Sequence, residues 1–106
     1  MVLLINKRTF MKNNQIEEIK KVLIDVLKKN GVKSAALFGS IVRGEATEES
    51  DIDILVEFKG KKSLLDLAGL KIELQELLGR NVDVLTYASL HPLLKKNILN
   101  EQEVIL

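Results

Sequence analysis

The chain has 106 residues, 46% of them apolar and 29% charged, which gives one domain with one modest core. Sixteen Lys and Arg against fifteen Asp and Glu leave a net charge of +1, so no basic field is present to hold nucleic acid by itself. Cysteine is absent, which excludes disulfides and thiolate metal sites and fits a reducing cytosol.

Residues 1–13 carry no motif and are expected to be an extension outside the domain. Val2 to Ile5 could form an edge strand, and Met11 is an alternative start. Four apolar residues are too few for a signal segment or a membrane span, so a cytoplasmic protein is expected. Residues 15–29 predict an amphipathic helix, with Ile16, Ile19, Val22, Leu23, Val26 and Leu27 at three- and four-residue spacing. Asn14 is the expected cap, Glu17 its capping-box partner, and Gly31 the left-handed residue beyond the helix end.

Val32 to Phe38 predicts the first core strand, interrupted by Lys33 and Ser34. Gly39 and Ser40 follow at once, with Ser40 to Arg43 as one short helical turn. Glu45 to Ser50 reads as a polar connector and Asp51 to Phe58 as the second strand. Ser63 is expected to cap a helix running to about Leu78, with Asp66 at its third position and Leu67, Leu70, Leu74, Leu77 and Leu78 as its stripe. Gly69 lowers its helix propensity and is expected to mark a close packing contact. Asn81 to Leu85 predicts a third strand. Ser89 or His91, with Pro92 behind it, opens a last helix whose apolar side is Leu93, Leu94, Ile98 and Leu99. The domain is expected over 14–100, with 101–106 as a tail that packs back or meets a partner.

The chemistry concentrates in 37–58, LFGSIVRGEATEESDIDILVEF. Strand side chains alternate, so Asp51, Asp53, Leu55 and Glu57 share one face. Two carboxylates two residues apart on one face repel and raise each other's pKa. A divalent cation relieves that conflict, and Mg²⁺ favours carboxylate oxygens together with substrate phosphates. Gly39 lets phosphate approach the backbone, and Ser40 can donate its hydroxyl and N–H. Arg43 could contact phosphate, or pair with Asp51 or Glu45 and hold the site's shape. Gly44 is expected to be conformational. Glu57 is too far along the strand for the metal. His91 reads as a helix-entry residue, Tyr87 as a rim aromatic, and Lys59, Lys61 and Lys62 as a solvated loop.

GS, then RG, then SDIDILVEF resembles the signature of the DNA polymerase beta-type nucleotidyltransferase superfamily, and most closely its minimal nucleotidyltransferases. These are small prokaryotic proteins often paired with a HEPN-domain partner as toxin and antitoxin. The resemblance covers about residues 14–99. It implies an α/β (α+β) fold, a small mixed sheet with helices mainly on one face. It also implies phosphate binding by Gly39, Ser40 and Arg43. Asp51, Asp53 and Asp83 would be the catalytic and metal-binding carboxylates, holding Mg²⁺ in a two-ion site with ATP as substrate. Asp83, in NVDVL, matches the family's third carboxylate. The implied activity is AMP transfer to a tyrosine of a HEPN-family toxin, an antitoxin function. A binding module with a relic site, and an enzyme with a small-molecule or RNA acceptor, are the competing readings. An assembly with itself or with a partner is compatible with either.

Overall fold

The computed structural model describes residues 10–106. The suggested strand at Val2 to Ile5 therefore lies outside the described residues. Four helices and four strands follow in the order α1 (Asn13–Lys29), β1 (Val32–Phe38), α2 (Ser40–Arg43), β2 (Ile52–Phe58), α3 (Leu64–Leu78), β3 (Val82–Thr86), α4 (Pro92–Glu101) and β4 (Glu103–Val104). A 3-10 turn, Tyr87–Ser89, joins β3 to α4.

The strands form one mixed sheet in the order β3-β2-β1-β4. β1 runs antiparallel to β2 and β4, while β2 and β3 are parallel. A parallel pair needs a crossover, and α3 supplies it. One sheet face and the inner stripes of α1 and α3 make the core. Leu23, Leu27, Ile52, Ile54, Leu74 and Val82 are fully buried there. Each contributes about 1.5–3 kcal/mol of apolar transfer.

A bulge explains how β1 reaches that core despite its polar interruption. Its pairing with β2 slips between Val32 and Ser34. The extra residue is Lys33, which stays exposed, so Val32 and Ala35 both face inward although they stand three positions apart.

Helix ends follow local chemistry. In α3 the Ser63 hydroxyl accepts from the Asp66 N–H at 3.2 Å, and the Asp66 carboxylate accepts from the Ser63 N–H at 2.8 Å. His91 opens α4, its Nδ1 accepting from the Leu93 N–H at 3.1 Å, with Pro92 in the first turn. The start of α1 departs from expectation. The helix begins at Asn13, and the Gln15 side chain accepts from the Lys12 N–H at 2.7 Å. Gln15 therefore takes the part expected of Glu17, two residues earlier.

Two other expectations are corrected, on Gly69 and on the helix stripes, while the tail packs back, one of the two outcomes expected of it. Gly69 has no atom within 4 Å of where a Cβ would stand, so no close contact requires it. Leu77 lies off the buried stripe of α3, and Leu93 and Leu94 of α4 are exposed. The stretch after α4 is part of the sheet: Ala36 and Leu37 pair with Val104 and Glu103, and Ala35 exchanges backbone bonds with Ile105 and Leu106. Ile105 and Leu106 also pack on the core. Among the described residues, no helix is long and apolar enough to cross a membrane.

Candidate active site

The site forms where β1 ends and β2 begins. Phe38 pairs with Asp53 across the antiparallel ladder, and Asp53 pairs with Asp83 across the parallel one. The adjacent carboxylates of Asp53 and Asp83 therefore come from neighbouring strands and share the face opposite the core. Asp51 sits one residue before β2 and is exposed.

Burial first, then the charge of Asp83, a hydrogen bond with it and the charge of Asp51 push the Asp53 carboxyl up from 3.8 to about 6, with Arg43 opposing. Lys71 is the cation nearest Asp83, with Nζ to Oδ1 at 3.8 Å and both groups well exposed. That geometry offers weak compensation.

Gly39 is the point of closest approach. It has φ +79°, and a Cβ there would stand 2.3 Å from Asp53 Oδ2. Any other residue would be strained and would displace the carboxylate. The Gly39 carbonyl accepts from the N–H groups of Val42 and Arg43 at 3.1 and 3.2 Å, which closes α2. Ser40 is the first residue of that turn. Gly44 ends it in the left-handed region at φ +75° and takes the conformational part expected of it.

Arg43 is held by acids. Its Nε donates to Glu45 at 2.9 Å, and its Nη1 to both oxygens of Glu101 at 3.1 Å. The same Glu101 carboxylate accepts from the Gly39 N–H at 2.7 Å, and these partners lower its pKa. Sequence reasoning missed Glu101, because it lies 62 residues from Gly39 in a stretch read as tail.

It also missed Arg80. The Arg80 guanidinium donates to the carbonyls of Thr47 and Ser50 at 3.3 Å each, and to that of Glu48. Within the loop the Ser50 hydroxyl accepts from the Thr47 N–H at 2.9 Å. The supposed connector is thus a built loop, with Ala46 buried in the core, and it delivers Asp51 to the site. The remaining residues lie elsewhere. Glu57 accepts from the Ser34 hydroxyl at 3.1 Å near the other end of β2, and the Tyr87 hydroxyl donates to Gln102 at 3.2 Å.

Among the described residues, no three Asp, Glu, His or Cys side chains converge as a closed metal cage. The Asp53–Asp83 pair is instead an open, oxygen-only donor set whose mutual repulsion a cation would remove. That suits Mg²⁺, which keeps waters and takes phosphate oxygens as its other ligands.

A family model for the nucleotidyltransferase domain matches residues 16–105. A Methanocaldococcus jannaschii protein, named as a candidate protein adenylyltransferase, is 64% identical over 86 residues, 81% of this chain and 92% of its own length. The Thermococcus cleftensis protein adenylyltransferase MntA is 41% identical over 90 residues, 81% of this chain and 91% of its own. Among solved structures, a candidate minimal nucleotidyltransferase superposes with TM-score 0.75 at 35% identity, covering 90% of this chain and 97% of that one. The fold is also that of the MNT antitoxin bound to a tri-AMPylated HEPN toxin from Shewanella oneidensis, at TM-score 0.68 and 21% identity over 85% of this chain and 71% of that one. The chain belongs to the nucleotidyltransferase domain family, within its minimal, protein adenylyltransferase branch.

Proposed function

We propose that the protein is a cytoplasmic antitoxin that moves AMP from ATP to a tyrosine hydroxyl of a HEPN-domain toxin. Asp51, Asp53 and Asp83 would hold Mg²⁺, as a two-ion site once nucleotide is present. The observation that carries this reading is the pairing of Asp53 with Asp83 on adjacent strands, directly against the Gly39 backbone.

Bound Mg²⁺ supplies charge neutralisation on the triphosphate. The protein's own groups do the rest. Glu101 occupies the Gly39 N–H, so the Ser40 N–H and hydroxyl are what this turn offers to phosphate oxygens. Asp83 stands across the strand from Asp53, where it can accept the proton of an attacking hydroxyl as the phosphorus–oxygen bond forms and pyrophosphate leaves.

The acceptor assignment is supported by the Shewanella oneidensis complex of the same fold, in which the HEPN toxin carries three AMP groups. The exposed leucines Leu64, Leu65, Leu93 and Leu94 offer apolar surface to a protein partner.

The test is intact mass of a co-encoded HEPN-domain protein after incubation with this chain, Mg²⁺ and each of the four NTPs in turn. A gain of one or more AMP units with ATP, abolished by D51A/D53A, is expected. Tight complex formation with no mass gain from any nucleotide would sink the transferase reading.

A further inference from the structure

We propose that Glu101 is a positioning residue for nucleotide transfer: its carboxylate ties the Gly39 N–H and the Arg43 guanidinium together and so fixes the phosphate turn against Asp53. The role rests on the reading of this site as a Mg²⁺–nucleotide site.

The geometry has three parts. Glu101 Oε1 accepts from the Gly39 N–H at 2.7 Å and from Arg43 Nη1 at 3.1 Å, so one oxygen bridges the two ends of α2. Gly39 in turn lies against Asp53, with no room even for a methyl group between backbone and carboxylate. A shift of the Gly39 peptide is therefore a shift at the metal-binding acid. Finally, Arg43 is anchored on its other edge by Glu45 at 2.9 Å, so the guanidinium spans two carboxylates and braces the turn.

A carboxylate on an N–H beside a phosphate turn invites a second interpretation, a gate that mimics phosphate and must swing away. The backbone around Glu101 argues for a fixed tie. Glu101 is the last residue of α4, and the Gln102 N–H is bonded to the Ile98 carbonyl at 2.9 Å. Two residues later Glu103 and Val104 are in register with Leu37 and Ala36, the same strand that ends at Phe38 beside Gly39. Glu101 cannot leave the turn by a backbone movement without stripping β4 from β1. Charge-assisted hydrogen bonds of this kind hold the turn in shape, and their loss is expected to cost about tenfold in nucleotide affinity.

The experiment is equilibrium titration of the full chain with N-methylanthraniloyl-ATP at several Mg²⁺ concentrations, with melting temperatures measured in parallel. Wild type, E101A, E101Q, S63A and D51A/D53A are compared. E101A is expected to lose about tenfold or more in nucleotide affinity and to need more Mg²⁺ for half-saturation. E101Q keeps an oxygen that can accept from Gly39 but loses the charge on Arg43, so it should fall between wild type and E101A, and it serves alone if E101A does not fold. S63A removes a helix cap at the far end of β2 and should lower the melting temperature with nucleotide affinity unchanged.

Glu101 variants that melt lower but bind as wild type would reduce Glu101 to a stability contact and overturn the proposal. Tighter binding by E101A and E101Q would overturn it in favour of a gate. Wild-type binding that is independent of Mg²⁺, or that survives in D51A/D53A, would overturn the functional reading, and the Glu101 role would fall with it.

Discussion

Replacing Asp53 by asparagine should stabilise the metal-free protein at neutral pH, although Asp53 is at the centre of the site. The Asp53 carboxyl titrates near 6 in the folded chain, displaced from 3.8 by burial and by its acidic neighbours. Between those values the folded state holds a proton that the unfolded state has released. Stability therefore falls as pH rises from about 4 to about 6 and stays lowered above that. The full displacement corresponds to about 3 kcal/mol. Asp53 is only half-buried, and solvent screening reduces this to about 1 kcal/mol. An asparagine side chain has no proton to lose over this range. In EDTA at pH 7.5, D53N should be about 1 kcal/mol more stable, or about 4 °C higher in melting temperature. At pH 3.5 both side chains are neutral and the difference should vanish. Added Mg²⁺ at ten times its Kd would raise wild type by about 1.4 kcal/mol and leave D53N behind. A D53N protein that is no more stable than wild type at pH 7.5, with the same difference at both pH values, would refute the carboxylate repulsion.

Three further outcomes are expected. G39A should abolish Mg²⁺-dependent nucleotide binding and cost about 1–2 kcal/mol from the left-handed backbone alone, seen in parallel titrations and urea melts. R80A frees the carbonyls of Thr47, Glu48 and Ser50. It should cost about 1–3 kcal/mol and raise the Mg²⁺ needed for half-saturation, because the loop that carries Asp51 loosens. L74A empties a fully buried position between α3 and the sheet. It should cost about 2–5 kcal/mol in chemical denaturation while the folded fraction binds nucleotide normally.

Most of the fold is legible because its elements are written in local chemistry. The Ser63 and Asp66 pair, the buried Leu70 and Leu74 of α3, and His91 with Pro92 are signals within four residues of one another, and each appears where local rules put it. The start of α1 misled because Asn14 and Glu17 are good capping residues that Gln15 pre-empts from a frame two residues earlier. The inward stripe of β1 was obscured by Lys33. A period-two reading sends position 33 to the core, and only the bulge returns it to solvent. β4 has two residues, too short for any periodic signal. It is defined by its partner, since Ala36 and Leu37 leave an open ladder edge that Glu103 and Val104 fill.

The same division runs through the site. Gly39, Ser40, Asp51 and Asp53 stand within 15 positions and carry a chemical pattern of their own. Asp83 becomes visible through family resemblance, and its place beside Asp53 depends on the parallel register of β2 and β3. Glu101 and Arg80 leave no such trace, because an acid at a helix end and an arginine after a helix-ending glycine are ordinary surface residues. What makes them special is what they meet. Glu101 meets an N–H that a strand end leaves without a ladder partner, and Arg80 meets carbonyls of a loop that forms no regular structure. Backbone polar groups at such places need partners wherever water is excluded. The α2 turn and the loop before β2 therefore require side chains from distant sequence to complete them. The acids proposed for catalysis are visible in the chain, while the residues that hold them still emerge only when each backbone donor and acceptor around the site is followed to its partner.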